Sequence, residues 1–581
     1  MPTLCERLLR KKRYDGSSHL VSPLKRCLSV WDVTLLAIGQ MFGSGAYVLT
    51  GSVVRNNTGP SVVLSFLLAA FAALLSACSY AEFGARFPRA GSSYTYAYTS
   101  MGELCAFLIG WSLPLEYMIG NAAVARSWTA YLDTLLDGRI HNFTVETIGN
   151  IPIDSAFFSK YPDILATILI LLVAVVGMLS NKVSSSLNSI FVVFNISVVI
   201  FIIISGIRFA DFSLWFGTTS SGASKFFPFG FSGMVSGASI CFFSFVGFEI
   251  LGTAGEEAKD PHKTIPIATF ISLGTVTLLY VFMSGVLTLM VPYNQVDPTA
   301  AYAVAFAQKG ADITKVIISC GALVGMMNNL LAGTFALPRC VYAMAADGLL
   351  FSFLARVNKT TKVPVIATII FSAINALMAL VFDIEALIEF LSIGTLSAYS
   401  FVTASVLILR YQPAPIDNDP ARLDNGGELS RWVPFRNFWE SLPAGGSMSI
   451  AIISLSIGFF GASISIVNGL NNPFLWAVLI FGASLVIISF IFILGHNENS
   501  LELSYKVPFL PYLPCFSLGL NIFMMVSLSI YTWYRMIVWT LIGVIIYALY
   551  GIRHSKENHR GIADVVMRSN TSINKIRNIN T

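Results

Sequence analysis

The fold is decided by two stretches: Trp31-Asp-Val-Thr-Leu-Leu-Ala-Ile-Gly-Gln-Met-Phe-Gly-Ser-Gly-Ala-Tyr-Val-Leu-Thr50 and, about two hundred residues further on, Ser239-Ile-Cys-Phe-Phe-Ser-Phe-Val-Gly-Phe-Glu-Ile-Leu-Gly252. Each is apolar enough to cross a bilayer, yet each is interrupted near its middle, at Gly43-Ser44-Gly45 and around Gly247. Hydrocarbon cannot satisfy the backbone N–H and C=O groups that such an interruption frees, so a break survives only where it faces protein or a polar cavity. Broken spans at matching places in two halves of a chain point to a transporter with its site at the membrane midplane.

The rest of the chain agrees with that class. Apolar residues make up 55% of 581 and charged residues only 12%, far from the usual soluble balance. Apolar runs of roughly 20 residues recur from end to end, each long enough for the hydrocarbon layer. Residues 1–30 are basic, and no cleavable leader is expected, because the first apolar run is a full span.

Fourteen spans are predicted, beginning near Trp31, Pro60, Glu103, Asp163 and Leu187, then Ser232, Thr264, Asp312, Val363 and Ala386, then Met448, Pro473, Val507 and Arg535. The organisation expected is a basic N-terminus (1–30), a first five-span repeat (31–210), a second (211–410), a linker (411–446), four further spans (447–552) and a tail (553–581). Lys and Arg crowd the N-terminus, the linker, the tail and alternate loops (Arg86, Arg89, Lys259, Lys263, Arg356), which places both termini in the cytosol. The net charge of +5 therefore reflects orientation, and nucleic acid is not an expected partner.

Several chemistries are disfavoured. The 8 cysteines are scattered without metal or redox spacing, and none of the 6 histidines falls within a span. No nucleophile–base pair or phosphate loop is present, so an enzyme is not expected, nor a cofactor or metal.

The residues that remain suit an α-amino acid. A half-helix starting after Gly43-Ser44-Gly45 offers free N–H groups and a positive dipole end to a carboxylate. At the second break, the carbonyls of Phe243, Ser244 and Val246 lose helical partners and can accept from an ammonium. The competing reading is that Gly43 and Gly45 only let helices pack closely. Glu116 lies inside the third span, where an acid costs about 2.5–3.5 kcal/mol. It either supports a cationic substrate or pairs with another helix. Glu249 follows the second break, where it can hold unwound backbone or make the pocket negative. Glu256, Glu257, Lys259 and Asp260 read as a solvated cluster, and Glu82 with Arg86 as an i,i+4 pair. In Met326-Met327-Asn328-Asn329 the amides either line a pocket or tie helices together, and Met327 would restrict a long side chain. Met41, in the first break, is the remaining candidate contact. The sequon at Asn142 lies in the outward loop after span three and is the expected glycosylation site.

These residues resemble a known family. Leu24-Lys-Arg-Cys-Leu28, Gly43-Ser-Gly-Ala-Tyr-Val-Leu-Thr-Gly51, Tyr80-Ala-Glu-Phe-Gly-Ala-Arg86, Gly102-Glu-Leu-Cys-Ala-Phe-Leu-Ile-Gly-Trp111, Gly255-Glu-Glu-Ala-Lys-Asp-Pro261 and Tyr342-Ala-Met-Ala-Ala-Asp-Gly-Leu349 are similar to the cationic amino acid transporters of the amino acid–polyamine–organocation superfamily. Arg139-Ile-His-Asn-Phe-Thr144 and Phe229-Gly-Phe-Ser-Gly-Met234 lean toward that family's atypical fourth member.

The resemblance implies an all-α integral membrane protein with a LeuT-like 5+5 inverted repeat, broken spans 1 and 6, and four C-terminal spans. It also implies sodium-independent, potential-driven uniport of arginine, lysine and ornithine by alternating access. The expected setting is the plasma membrane, with an intracellular membrane as the alternative, and the expected partners are the amino acid and the lipid bilayer, sterol included. Proton-coupled bacterial relatives carry a lysine in span five, and alignment puts Asn195 at that position. The chain departs from the family at Gln40-Met41-Phe42, at Gly247-Phe248-Glu249 and at the Met326-Met327 pair. Those departures keep a neutral amino acid carrier open, and a sensor or scaffold that retained the fold is the other alternative.

Overall fold

The computed structural model describes residues 7–557 except 13–25, 27, 44, 90, 137, 152–157, 180, 219–223, 299, 359–360, 362, 414, 417–418, 443–444 and 470–471. Residues 558–581 of the tail therefore lie outside it. Among the described residues the chain is helical, apart from a small antiparallel hairpin (Pro415–Ile416 with Asp419–Leu423) in the linker. Nine stretches, from Val30–Arg86 to Ile530–His554, are long and apolar enough to cross a membrane, and Ile164–Met178, Val365–Val381 and Tyr512–Val526 are shorter apolar helices. The burial pattern is that of a protein solvated by lipid. Phe481, Ile487, Ile488 and Ile491 point outward, while Asn195, Asn328, Glu116 and Glu249 are buried.

Helix α1 (Val30–Met41) starts at a capping box in which Asp32 N donates to Ser29 Oγ at 3.3 Å and Ser29 N donates to Asp32 Oδ2 at 2.9 Å. The chain becomes helical again at Gly45 and continues through residues 45–58. There follow α2 (Val62–Arg86), α3 (Ser93–Ser100), α4 (Glu103–Leu135), α5 (Arg139–Thr147), α6 (Ile164–Leu179) and α7 (Asn181–Ile207). The second half runs α8 (Gly230–Cys241), α9 (Ile250–Ala254), α10 (Pro261–Met290), α11 (Ala301–Gln308), α12 (Asp312–Ala346), α13 (Val365–Val381) and α14 (Ile384–Arg410). The last helices are α15 (Gly446–Val467), α16 (Pro473–Leu494), α17 (Tyr512–Val526) and α18 (Ile530–Ile546).

Two packing groups emerge. Helices α1, α2, α8 and α10 form one, and α4, α6, α12 and α13 form the other, with α14 lying against α4 on one side and α17 on the other. Helices α15 and α16 pack closely because Gly458 and Gly482 face each other: a Cβ on Gly458 would lie 2.8 Å from the Gly482 carbonyl oxygen.

Charged groups expected at a wet edge turn out to be buried and paired. Glu256 and Glu257 are not solvated. Arg89 reaches Glu256 at 3.5 Å and Arg339 reaches Glu257 at 3.4 Å. Leu28 N donates to Glu257 O and Lys259 N to Leu28 O, both at 3.0 Å, so the entry to α1 is stitched to the segment after α9. Glu82 pairs with Arg410 at 3.5 Å and accepts from Val507 N at 2.7 Å, so partners distant in sequence add to the neighbouring Arg86. Arg126 donates to the carbonyls of Ala379 at 3.1 Å and Phe382 at 2.7 Å, satisfying the C-terminal end of α13.

Candidate functional site

Helix α1 stops where Phe42 turns to φ −96° and ψ 89°. Its last carbonyls would be orphaned in an apolar interior, and three other helices supply donors. Tyr280 Oη (α10) donates to Met41 O at 2.8 Å, Asn195 Nδ2 (α7) to Phe42 O at 3.5 Å, and Asn329 Nδ2 (α12) to Gln40 O. Past the break, Ala46 N and Tyr47 N fold back on Gly43 O at 3.2 and 3.5 Å. The N–H groups of Gly43 and Gly45 have no acceptor among the described residues. Ser44 lies outside those residues.

The second break is a tight turn. Phe242–Phe245 is 3₁₀ in form, Val246 is extended at ψ 130°, and Gly247 takes φ +131°, a region that disfavours any side chain. Gln40 of α1 fills the space beside it: a Cβ on Gly247 would lie 2.6 Å from Gln40 Cγ. Glu249 holds the turn, its Oε2 accepting from Gly247 N at 2.9 Å and from Tyr399 Oη at 2.9 Å.

The carbonyl expectation is corrected here. Phe243 O accepts from Val246 N at 3.1 Å, because the 3₁₀ geometry closes an i→i+3 bond, and Ser244 O accepts from Tyr280 Oη at 3.0 Å. Val246 O has no donor among the described residues. Tyr280 thus touches a carbonyl of each break, a role that a lone tyrosine in Leu279-Tyr280-Val281 does not announce.

Between the breaks lies a cavity of about 30 Å³, room for roughly two waters where one needs about 10–15 Å³. One end is formed by Gln40, Met41 and Gly45 from the first break, with Phe243, Ser244 and Val246 from the second. Its other end is formed by α4, through Glu116, Tyr117, Gly120, Asn121 and Val124, with Leu391 of α14. Residues 116, 120 and 124 recur every four positions and so share one face. Glu249 and Asn329 complete the wall, and no Lys, Arg or His is among these lining residues.

Glu116 is 4% exposed. Its Oε1 accepts from Thr395 Oγ1 at 2.6 Å, and its Oε2 has no partner among the described residues. Gly43 stands behind the wall, where a Cβ would lie 3.0 Å from Asn329 Cβ. Met327 is the sequence candidate the cavity leaves out: it packs on the hydrophobic core, and Asn329, two residues on and so on a different face of α12, lines the cavity instead. Asn195 also stands one layer back, its Oδ1 accepting from Tyr47 Oη at 2.6 Å. Asn142, far from the cavity, is exposed on α5.

Residues 28–423 match the family model described as "Amino acid permease", and residues 505–555 match the one described as "C-terminus of AA_permease". The chain is 40% identical over 590 residues to "Cationic amino acid transporter 4" of Mus musculus, covering 96% of this chain and 92% of that one. It is 41% identical over 594 residues to the Homo sapiens protein of the same name, with the same coverage of 96% and 92%. Against "Cationic amino acid transporter 4, vacuolar" of Arabidopsis thaliana the identity is 33% over 596 residues, covering 95% of this chain and 96% of the relative.

Proposed function

The chain belongs to the cationic amino acid transporters of the amino acid permease family, and from that premise we propose that it carries cationic L-amino acids such as lysine, arginine and ornithine by facilitative, sodium-independent uniport. One observation carries the substrate class. Two buried carboxylates, Glu116 and Glu249, line a single cavity without any basic side chain in its wall. An acid pair of this kind in a low-dielectric interior attracts a cation.

The substrate's α-carboxylate meets the N–H group of Gly45, with Gly43 keeping the break open behind it, and its α-ammonium meets Val246 O. Met41, Phe243 and Ser244 border the same end. The side-chain cation points to Glu116, and Glu249 adds negative potential while keeping its hold on Gly247. A membrane potential of 100 mV is worth about 2.3 kcal/mol per charge, enough to concentrate a monovalent cation roughly fifty-fold.

The architecture that suits this cycle is a 5+5 inverted repeat within fourteen spans. Its support is the regular pairing of α2 with α10, α4 with α12 and α6 with α13, each joining a helix of the first half to its counterpart in the second. Rocking of one group against the other alternates access to the cavity. Both termini are cytosolic, the plasma membrane is the site of action, and Asn142 carries glycan on the outer side. A band shift on glycosidase treatment that disappears in Asn142→Gln tests that orientation.

The function is tested by uptake of labelled lysine, arginine and leucine into proteoliposomes at a set potential. Lysine and arginine entry that rises with inside-negative potential is expected. Leucine carried in their place overturns the cationic assignment, and no flux of any of them favours a sensor.

A further inference from the structure

The α4 end of the cavity contains more than an acid. Asn121 lies one helical turn beyond Tyr117, is 2% exposed, and lines the cavity beside Glu116. Its carboxamide oxygen is turned toward Gly333 of α12, where a Cβ would collide with it. Its Nδ2 has no acceptor among the described residues, although it is buried. Glu116 Oε2 and the Tyr117 hydroxyl at the same end likewise have no partner among the described residues.

Lysine and arginine side chains offer only donors. They can satisfy Glu116 Oε2, but they leave the Asn121 N–H groups facing a cation. A group with an adjacent carbonyl and N–H answers both: its N–H donates to Glu116 Oε2 and its carbonyl accepts from Asn121 Nδ2. A buried group left unpaired is what allows a site to discriminate between ligands of similar size.

We propose that Asn121 makes this cavity a binding site for amino acids with a neutral amide or ureido side chain, glutamine and citrulline, alongside the cationic ones, and that it sets the ratio between the two classes. The inference rests on the cavity being the amino acid site. Acidic amino acids stay excluded by Glu116 and Glu249, and aliphatic ones leave both Glu116 and Asn121 unpaired.

The test uses the purified full chain in proteoliposomes, with labelled L-lysine displaced by unlabelled L-lysine, L-citrulline, L-glutamine and L-leucine. Citrulline and glutamine are expected to compete within tenfold of lysine, and leucine at least tenfold more weakly than citrulline. In Asn121→Ala and in Asn121→Asp, which lack the amide donor, the ratio of citrulline to lysine affinity should fall at least tenfold. Failure of citrulline and glutamine to compete with lysine in the wild-type chain overturns the proposal and leaves the cationic reading standing. A ratio unchanged within twofold in both variants overturns the role of Asn121. If the wild-type chain binds none of the ligands, the reading of the cavity itself falls. Should the variants not fold, the wild-type competition order decides alone.

Discussion

Gly45 lies directly against Ser244, so that the two broken helices meet at their interruptions: a Cβ on Gly45 would sit 2.8 Å from Ser244 Cβ and 2.9 Å from its Cα. The second distance is to backbone and cannot be relieved by a rotamer change. Gly43 is less crowded, since its Cβ would come no closer than 3.0 Å to Asn329 Cβ and Nδ2. Gly45→Ala should therefore abolish ligand-induced thermal stabilisation for every amino acid at an overpacking cost of about 1–3 kcal/mol, while Gly43→Ala weakens it less. Equal effects of the two substitutions would contradict the contact at Ser244.

The breaks and the two acids were readable from sequence because glycines at mid-span can free backbone groups that hydrocarbon cannot satisfy, and a glutamate in an apolar span is costly, so each needs a cause. Which face a residue occupies was not readable. In α12 nearly every position is apolar or small, so periodicity cannot tell Met327 from Asn329. Asn121 and Tyr280 were missed because an amide or a phenol in a span has many structural uses and only the cavity shows which applies. The pairing of Glu257 with Arg339 was hidden because these residues are distant in sequence, whereas the charges following Glu257 imitate a solvated cluster.

Glu116 accepts one hydrogen bond, from Thr395, and turns its other oxygen to the cavity. Glu116→Gln preserves size and can keep an acceptor toward Thr395, but removes the charge. Lysine and arginine uptake should fall at least tenfold with surface abundance within twofold of wild type, measured by flux and by surface biotinylation on the same cells. Unchanged uptake would make Glu116 a purely structural residue. Thr395→Val should also lower uptake, since a hydrogen bond to a charged group is worth about 1.5–3 kcal/mol.

Arg339 and Glu257 form a buried pair, and Leu28 N also bonds to Glu257 O. Removing one partner leaves an uncompensated buried charge, so Arg339→Met should destabilise the protein by about 3–5 kcal/mol. Arg339→Met combined with Glu257→Leu should recover part of that loss. Thermal unfolding in detergent of the two single variants and the double variant measures the coupling, and additive losses would deny the pair.

His496, just beyond α16, gives the linker a pH response. Its Nδ1 bonds to Phe492 O at 3.0 Å and its Nε2 to Ser447 Oγ at 3.0 Å, a set that suits the neutral ring donating from Nδ1. Burial holds its pKa below the ordinary value of 6.5. A lowered folded pKa means the contribution is complete above the unfolded value and is lost as pH falls through the folded one. The bonds of Gly427 N to Asn497 O and Ser430 N to Gly495 O, both 2.8 Å, should therefore exchange faster with deuterium at pH 5.5 than at pH 7.5, after correction for intrinsic rates. His496→Gln should flatten that dependence. An unaltered pH profile in the variant would place the titrating group elsewhere.

Asn195 bears on coupling. It is fully engaged with the first break: its Oδ1 accepts from Tyr47 Oη at 2.6 Å and its Nδ2 donates to Phe42 O at 3.5 Å. A lysine ammonium could make the contact with Phe42 O and also lose a proton, whereas an amide keeps the same hydrogen-bonding capacity at every physiological pH. The first break is thus tied to α7 by a group that does not titrate, and its geometry at this point does not answer to pH. With the potential clamped, an inward proton gradient should leave the rate of lysine uptake unchanged within twofold and bring no protons with the substrate. Asn195→Lys should bring in pH dependence, because a desolvated lysine shifts its pKa readily, and Asn195→Ala should lower uptake at every pH by releasing Tyr47. Acceleration of the wild-type protein by the proton gradient, with protons entering alongside lysine, would show that another group carries them and would end the uniport reading.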